Sequence, residues 1–346
     1  MNMRSFRAIL VSASVVIPLV LSDFSFAGGT GTTSAAFLKL PSGARAIGMG
    51  ETYTGVGDDV QSIGWNPSGV ARMEHRQFTF MHSEWFQGIR YESAAYAQPM
   101  GGFLFLGAGV DFLDGGKLDK TTFDSSGGLT SGPEYSVIRQ GGSFYVTNIV
   151  VTVVGAVDVS GLRWLPVPNV QAGINVRMIM EKIDKASKAG AIMDLGAMWT
   201  PPRWSNLTLG LVGQNLGPTI GGKIPPISFK LGGAYRMMNK NLILALDYYQ
   251  PVDNSGRISI GSEYWYKGLI CVRGGYRFQG KLDPNEYTVG QYDFTTGTES
   301  VDAMSKFMKG LSLGAGFRYQ IVQVDYAFAT LGFLGATHRV SLTVNF

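Results

Sequence analysis

The chain has 346 residues, of which 45% are hydrophobic and only 16% charged, with 47 glycines and a single cysteine. Ordinary globular domains carry roughly 25% charged residues and ~7% glycine, so this balance favours tightly packed or lipid-facing strands over a soluble helical protein. Lone Cys271 excludes an internal disulfide and any CxxC metal or redox motif, and a net charge of +4 with no basic run gives no sign of a nucleic-acid partner.

The N-terminus reads as a secretory signal. Arg4 and Arg7 form a basic start, Ala8 to Leu21 is an apolar stretch, and Ser25-Phe26-Ala27 is a small-x-small cleavage site. Residues 1–27 are therefore expected to be removed, which takes the net charge to about +3. Downstream, no run reaches the ~18 apolar residues of a membrane helix. The longest, Ile149 to Val157, is short and β-branched. A helical membrane protein is excluded; a barrel is not.

Residues 28–76 differ from everything after them. They are glycine-rich, lack sustained alternation, and contain the run GARAIGMG (Gly43 to Gly50), a turn around Asp58-Asp59, and Trp65-Asn66-Pro67-Ser68-Gly69. Pro67 and Gly69 are turn formers and Asn66, preceding proline, should be extended. A compact coil is predicted, with one short helix near Ala44 to Tyr53.

From Gln77 onward, period-two alternation and turn signals recur to the end. Strands are predicted near 77–84, 90–98, 102–112, 144–158, 170–181, 188–199, 206–216, 226–236, 241–249, 257–266, 268–278, 310–319, 320–328 and 338–346. Fourteen is an even number, and the lengths suit the ~9 to 11 residues that cross a bilayer. The two long connections, about 113–143 and 279–309, follow odd-numbered strands, whereas connections after even-numbered strands are mostly tight. Short inner turns with longer external loops are what outer-membrane barrels show. Trp164, Trp199, Trp204, Trp265 and Tyr319 fall at the inner ends in this scheme, and Trp85, Tyr248, Tyr249, Phe278 and Phe328 at the outer ends, as two aromatic girdles would.

Faces along single strands agree. Leu242, Leu244, Leu246 and Tyr248 alternate with Ile243, Ala245, Asp247 and Tyr249. Because a charge at the lipid midplane costs roughly 2 to 4 kcal/mol, Asp194, Lys230, Asp247, Glu263, Arg273, Arg277, Arg318, Asp325 and Arg339 are expected to point into a lumen. The last strand carries Val340, Leu342, Val344 and Phe346 on its oily face, and pairing with 77–84 would close the barrel.

Several segments resemble a known family. Phe37-Leu38-Lys39-Leu40, GARAIGMG, Asp58-Asp59 and Trp65-Asn66-Pro67-Ser68-Gly69 resemble the N-terminal signature of the PorV/PorQ family, which belongs with the FadL-type outer-membrane transporters of fatty acids and other hydrophobic compounds. Asp194-Leu195-Gly196, Gln214-Asn215-Leu216-Gly217, Gly261 to Trp265, Arg273 to Arg277 and Thr337 to Leu342 extend the resemblance over nearly the whole mature chain. The resemblance implies an all-β, antiparallel transmembrane barrel of about 14 strands (77–346) whose N-terminal segment (28–76) lies in the lumen as a hatch, with Arg45, Gly48, Gly50, Asp58, Asp59, Trp65, Asn66 and Pro67 as its signature residues. In the transporters that hatch holds an Asn-Pro-Ala element; here Ser68 replaces the alanine. The terminal aromatic also resembles the sorting signal read by the barrel-assembly machinery.

Other chemistries are weaker. GARAIGMG lacks the βαβ setting of a dinucleotide loop. Asp58-Asp59 lacks the oxygen-ligand spacing of a calcium site and is expected to form a turn and pair with Arg45 or Arg318. Of His75, His82 and His338, the latter two lie on outward faces, so no protected general base is available and neither an enzyme nor a cofactor or metal is expected. Arg273, Arg277 and Arg318 could hold a carboxylate; the plainer expectation is pairing with Asp194, Asp247, Glu263 or Asp325 across neighbouring strands. Val301, Met304 and Met308, with Phe307, take helical spacing in the last long loop and could catch greasy ligands or a partner.

Two functions remain. One is passive uptake of a hydrophobic small molecule across the bacterial outer membrane, which expects an apolar track through the lumen. The other is a PorV-like accessory subunit of type IX secretion, with no transport role, that holds a secreted protein on its outer loops, which expects a large apolar patch there.

Overall fold

The computed structural model describes residues 29, 31–85, 88–123, 137–161, 168–279, 310–330 and 336–346. Fourteen antiparallel strands close into one barrel: β1 (Gln77–Glu84), β2 (Arg90–Pro99), β3 (Leu104–Phe123), β4 (Val137–Asp158), β5 (Val170–Ile183), β6 (Ala186–Trp199), β7 (Leu207–Leu216), β8 (Ser228–Met237), β9 (Leu242–Pro251), β10 (Arg257–Tyr266), β11 (Ile270–Gln279), β12 (Leu311–Tyr319), β13 (Val322–Thr330) and β14 (Ala336–Asn345). Each strand pairs with its sequence neighbours, and β14 returns to β1 in the register Gln77↔Asn345 to Glu84↔His338. No sheet edge is left open. Among the described residues no helix is long and apolar enough to cross a membrane.

The predicted spans hold at most strands, with one difference. β3 and β4 continue their ladder into residues assigned from the sequence to a loop, through register shifts at Asp114/Lys117 and Asp119/Thr121. These irregularities break the alternation that sequence reading relies on. At one end of the barrel, the turn end, connections are mostly tight: Lys267 and Gly268 both take positive φ (52° and 67°), as a two-residue hairpin turn of matching twist requires. The other end, the loop end, carries residues 124–136 and 280–309, which lie outside the described residues together with 1–28, Trp164, Val301, Met304, Phe307 and Met308.

Alternation puts aliphatic side chains outside. Leu244, Leu246, Val272, Leu313, Phe317, Val324, Val340 and Leu342 are exposed, whereas Asp247, Glu263, Arg273, Asp325, Arg339 and Ser341 are buried. Trp199, Trp204 and Tyr319 are exposed at the turn end, and Phe278 at the loop end. Three aromatics depart from the girdle expectation. Trp265 is buried and shares its face with Glu263, while Tyr264 and Tyr266 take the outer face of β10. Tyr249 lies beneath Arg257 and Lys230, and Trp85 beneath Arg339. Strand parity decides the orientations of Trp265 and Tyr249, and cation–π contacts make all three positions favourable.

Phe346 extends the seam. Its N–H donates to the Arg76 carbonyl (2.9 Å) and its ring lies 5.5 Å below the Arg76 guanidinium. Phe346→Asp should lower the amount of assembled barrel far more than Thr343→Ala on the lumen side; equal levels of the heat-modifiable folded band would refute an assembly role for the terminal aromatic.

Candidate functional site

The candidate site is the lumen and the segment that fills it. From Ser34 the chain runs inward from the loop end, through a 3-10 helix (Ala36–Lys39), α1 (Ala44–Gly48) and two more 3-10 helices (Val60–Gly64, Pro67–Arg72), and leaves at the turn end into β1. The predicted helix near 44–53 is shorter than expected because Gly50 turns at φ +66° and the chain then folds back on itself. Caps come from the sequence: the Asp59 carboxylate accepts from Gln61 N, and Asn66 Oδ1 from Ser68 N, with Pro67 opening the last 3-10 helix.

Three apolar contacts hold the segment. Ile47, Met49, Tyr53, Val56 and Trp65 pack against Ala234, Ile243, Ala245, Ala327 and Ala329. Val60, Ile63, Val70 and Met73 meet Ala97, Phe105, Val154 and Ala156, and nearer the loop end Leu38 meets Val150, Ile179, Ile192 and Ile220.

Between these contacts, backbone lies directly on backbone. A Cβ on Gly210 would stand 2.0 Å from Thr54 O, on Gly261 2.2 Å from Met49 O, on Gly275 2.2 Å from Gly50 N, and on Gly173 2.4 Å from Pro67 C. Gly314 faces the Gly48 backbone in the same way, and Gly196 makes room for the Asn66 and Pro67 side chains. Inward glycines on β5, β6, β7, β10, β11 and β12 thus form a belt that only a side chain of hydrogen can occupy.

Charges lock the same interface. Arg45 is buried and uses its whole fork: Nε and Nη2 donate to Glu263 (2.8 Å each), and Nη1 to Tyr53 Oη (3.0 Å), Asp58 (2.7 Å) and Asp59 (2.8 Å). Arg273 donates to Glu263 (2.6 Å) and Asp325 (2.8 Å), and Arg236 to Asp58 (3.2 Å). Burial pushes the Asp58 carboxyl up, but Arg45 and Arg236 outweigh it and hold it below the usual carboxylate range. Burial, with Asp58 beside it, pushes Asp59 up instead, and its Oδ2 accepts the Tyr53 hydroxyl (2.7 Å). Asp247 Oδ2 accepts from Thr54 N (2.9 Å).

The expected wall-to-wall pairing holds only for Arg273. Arg277 pairs with Glu51 of the inserted segment (2.6 Å), a partner 226 residues away. Arg318 reaches neither Asp58-Asp59 nor a wall carboxylate: it is exposed at the turn end, donating to Gln323 (2.8 Å) over the Trp265 ring. Asp194 sits opposite a β-bulge in which Gln214 and Asn215 face one residue, and it takes Asn175 Nδ2 (2.9 Å) and Asn215 N (2.7 Å), with Arg177 at 3.6 Å. Gln214 Nε2 in turn donates to the Trp65 carbonyl (3.0 Å). The Gln214-Asn215-Leu216-Gly217 motif is therefore a bulge that grips the inserted segment, a role its sequence did not disclose. Glu51 and Arg177 were missed as well, because neither lies in a recognisable motif.

Glu51 gives a pH expectation. Burial would raise its carboxyl, but Arg257, Arg277, Lys230 and Arg339 pull it down to about 2. The unfolded value is 4.5, so this anchoring contributes fully above that pH and fades only as pH falls toward 2. Proteolytic protection of residues 44–73 should persist at pH 4 and weaken near pH 2, and Glu51→Gln should remove the Glu51 contribution to that transition.

Among the described residues the inserted segment fills the lumen. Cavities beside the inserted segment measure about 10, 30 and 40 Å³ and are lined by groups such as Ser42, Gln61, Asp111 and Arg177. The expected apolar track is not open among the described residues, because the glycine belt lets the segment sit flush with the wall. A larger apolar hollow of about 950 Å³ lies on the outward face, lined by Tyr235, Leu244, Leu246, Ile260 and Phe278.

A family profile described as "Uncharacterised protein family (UPF0164)" matches residues 22–264, well over half of the chain. No curated protein sequence matches. Among solved structures, the Pseudomonas putida toluene transporter TodX superposes with a TM-score of 0.58 at 12% identity, over 88% of this chain and 98% of its own. The Ralstonia pickettii toluene transporter TbuX gives 0.55 and a Pseudomonas aeruginosa FadL homologue 0.52, each at 12% identity over 88% of this chain and 98% of theirs. At such identity the likeness is one of fold: this is the closed, fourteen-stranded barrel of the FadL-like proteins.

Proposed function

This chain belongs to the uncharacterised protein family UPF0164, and from that starting point we propose that it is an outer-membrane barrel for passive uptake of hydrophobic small molecules, gated by residues 28–76 as a hatch. The observation that carries this reading is a wall apolar on its outward face combined with a polar lumen filled by a segment of the same chain. Side chains alone fill a barrel of about 8 strands, whereas a wider one leaves a channel unless a segment of chain occupies it. An inserted segment with its own charge lock is a removable stopper. The toluene transporters that share the fold lend the substrate class, and the lipid-facing surface and terminal seam fit membrane lipid and the barrel-assembly machinery as partners. Passage requires the hatch to shift, since cavities of 40 Å³ or less admit little more than water.

Gentle purification followed by mass spectrometry of co-eluting molecules tests the reading. Bound apolar compounds, together with their accelerated entry into liposomes carrying the protein, support uptake. A stoichiometric secreted protein with no small molecule would support the PorV-like shuttle instead, for which the candidate capture residues Val301, Met304, Phe307 and Met308 lie outside the described residues.

A further inference from the structure

The connections at the turn end carry charge of one sign. Among those described throughout, residues 100–103, 200–206, 238–241, 267–269 and 320–321 contain Arg203, Lys240 and Lys267 and no carboxylate. Arg76 stands at the same end, immediately before β1. All four cations are exposed, and among the described residues none has a carboxylate within ion-pair distance. Nearby acids are few: Glu74 is exposed just ahead of Arg76, and Asp158 is half-buried and accepts from Ser160 N (3.0 Å).

These cations adjoin outward rings. The Lys267 ammonium lies 5.4 Å from the Tyr266 ring and the Arg76 guanidinium 5.5 Å from the Phe346 ring, while Arg203 directly precedes the exposed Trp204. Aromatic rings on a barrel's outer rim settle at the headgroup level of a bilayer, so cations beside them stand among lipid phosphates rather than in open water. The loop end differs. There Arg90 pairs with Asp114 (2.8 Å) and Lys120 with Asp184 (2.7 Å), and Lys182, Lys185 and Lys188 share the β5–β6 hairpin with Glu181 and Asp184.

We propose that Arg76, Arg203, Lys240 and Lys267 form a collar that gathers anionic phospholipids in the leaflet at the turn end. A zwitterionic headgroup brings its own ammonium with its phosphate and leaves the charge of the collar standing; an anionic headgroup removes one charge per lipid. Lys267, Lys240 and Arg203 sit on successive turn-end hairpins, two strands or roughly 10 Å apart at ~4.8 Å per strand, so each meets a headgroup of its own. The inference rests on the reading of the chain as a membrane-spanning barrel, and not on uptake.

The test reconstitutes the full-length protein in bilayers of brominated phosphatidylcholine, which quenches indole fluorescence, and follows the recovery as unbrominated phosphatidylglycerol or phosphatidylcholine replaces it. Trp199 and Trp204, exposed at the turn end, report on that leaflet. At ~0.01 M salt phosphatidylglycerol should displace the quencher about fivefold more effectively than phosphatidylcholine, and the ratio should fall toward one at ~1 M, where the Debye length is ~3 Å. The triple variant Arg203→Gln, Lys240→Gln, Lys267→Gln should bring the low-salt ratio below about two. Its counterpart Lys182→Gln, Lys185→Gln, Lys188→Gln, with the same loss of charge at the loop end, should keep the wild-type ratio. A wild-type ratio near one, or equal ratios in the two variants, overturns the proposal. Should the turn-end variant fail to assemble, the wild-type salt series decides, and a ratio indifferent to salt overturns it. A wild type that does not enter the bilayer sinks the membrane reading and the collar with it, whereas entry without lipid preference sinks the collar alone.

Discussion

Replacing Gly275 with valine should give a barrel that assembles yet leaks. The new Cβ would stand 2.2 Å from Gly50 N and 2.3 Å from Met49 C, and no rotamer can relieve a clash between a Cβ and another segment's backbone. Overpacking costs about 1 to 3 kcal/mol where a core can adjust, and more where it cannot. The strain should fall on the hatch, because Gly275 is held in a continuous ladder by Gly261 on one side and Ser312 on the other. The hatch would lift from the belt at α1 and open a path between itself and β10–β12. Liposomes carrying Gly275→Val should therefore pass small solutes that the wild type excludes. Gly233→Val is the control: its Cβ has nothing nearer than Leu209 Cδ2 at 3.6 Å and points away from the hatch. Equal tightness of the two variants would show that the belt does not seal the lumen.

That belt marks the boundary of what the sequence could tell. The strands were legible because period-two alternation and turn residues are local signals, and the parity of the long connections placed both at one end. Face assignment was legible where aliphatic and polar residues alternate, as in Leu242 to Tyr249. It failed where residue type was preferred to parity: Trp265, Tyr249 and, just beyond β1, Trp85 were assigned to girdles, yet they lie against Arg318, Arg257 and Arg339. The belt itself was invisible, because each strand glycine alone is merely a weak strand former. Gly173, Gly196, Gly210, Gly261, Gly275 and Gly314 acquire a common meaning only once closure sets them around one inserted segment. The charge partners failed for a related reason. Opposite signs were counted correctly, but Arg277 finds Glu51 and Arg45 finds Glu263 across more than 200 residues, separations at which the linear pattern carries no pairing information.

Arg45→Gln should unseat the hatch by a different route, and the difference is measurable. The substitution leaves Asp58 with Arg236 and Glu263 with Arg273, but removes the guanidinium that, among the described residues, alone joins all three carboxylates of the lock. Breaking a buried ion pair from one side costs about 3 to 5 kcal/mol, a large part of the roughly 5 to 15 kcal/mol that holds a domain folded. Lysine cannot substitute, because its compact ammonium lacks the planar fork that reaches Glu263 with one edge and Tyr53 and Asp59 with the other. The barrel band on a gel should persist while residues 44–73 become open to protease. Glu263→Gln on the Arg45→Gln background removes the stranded carboxylate and should restore part of the protection, with a coupling of about 0.5 to 3 kcal/mol. Gly275→Val, being a steric fault, should gain nothing from Glu263→Gln. If the two backgrounds respond alike, the lock and the belt are not separate devices, and the hatch is held by packing alone.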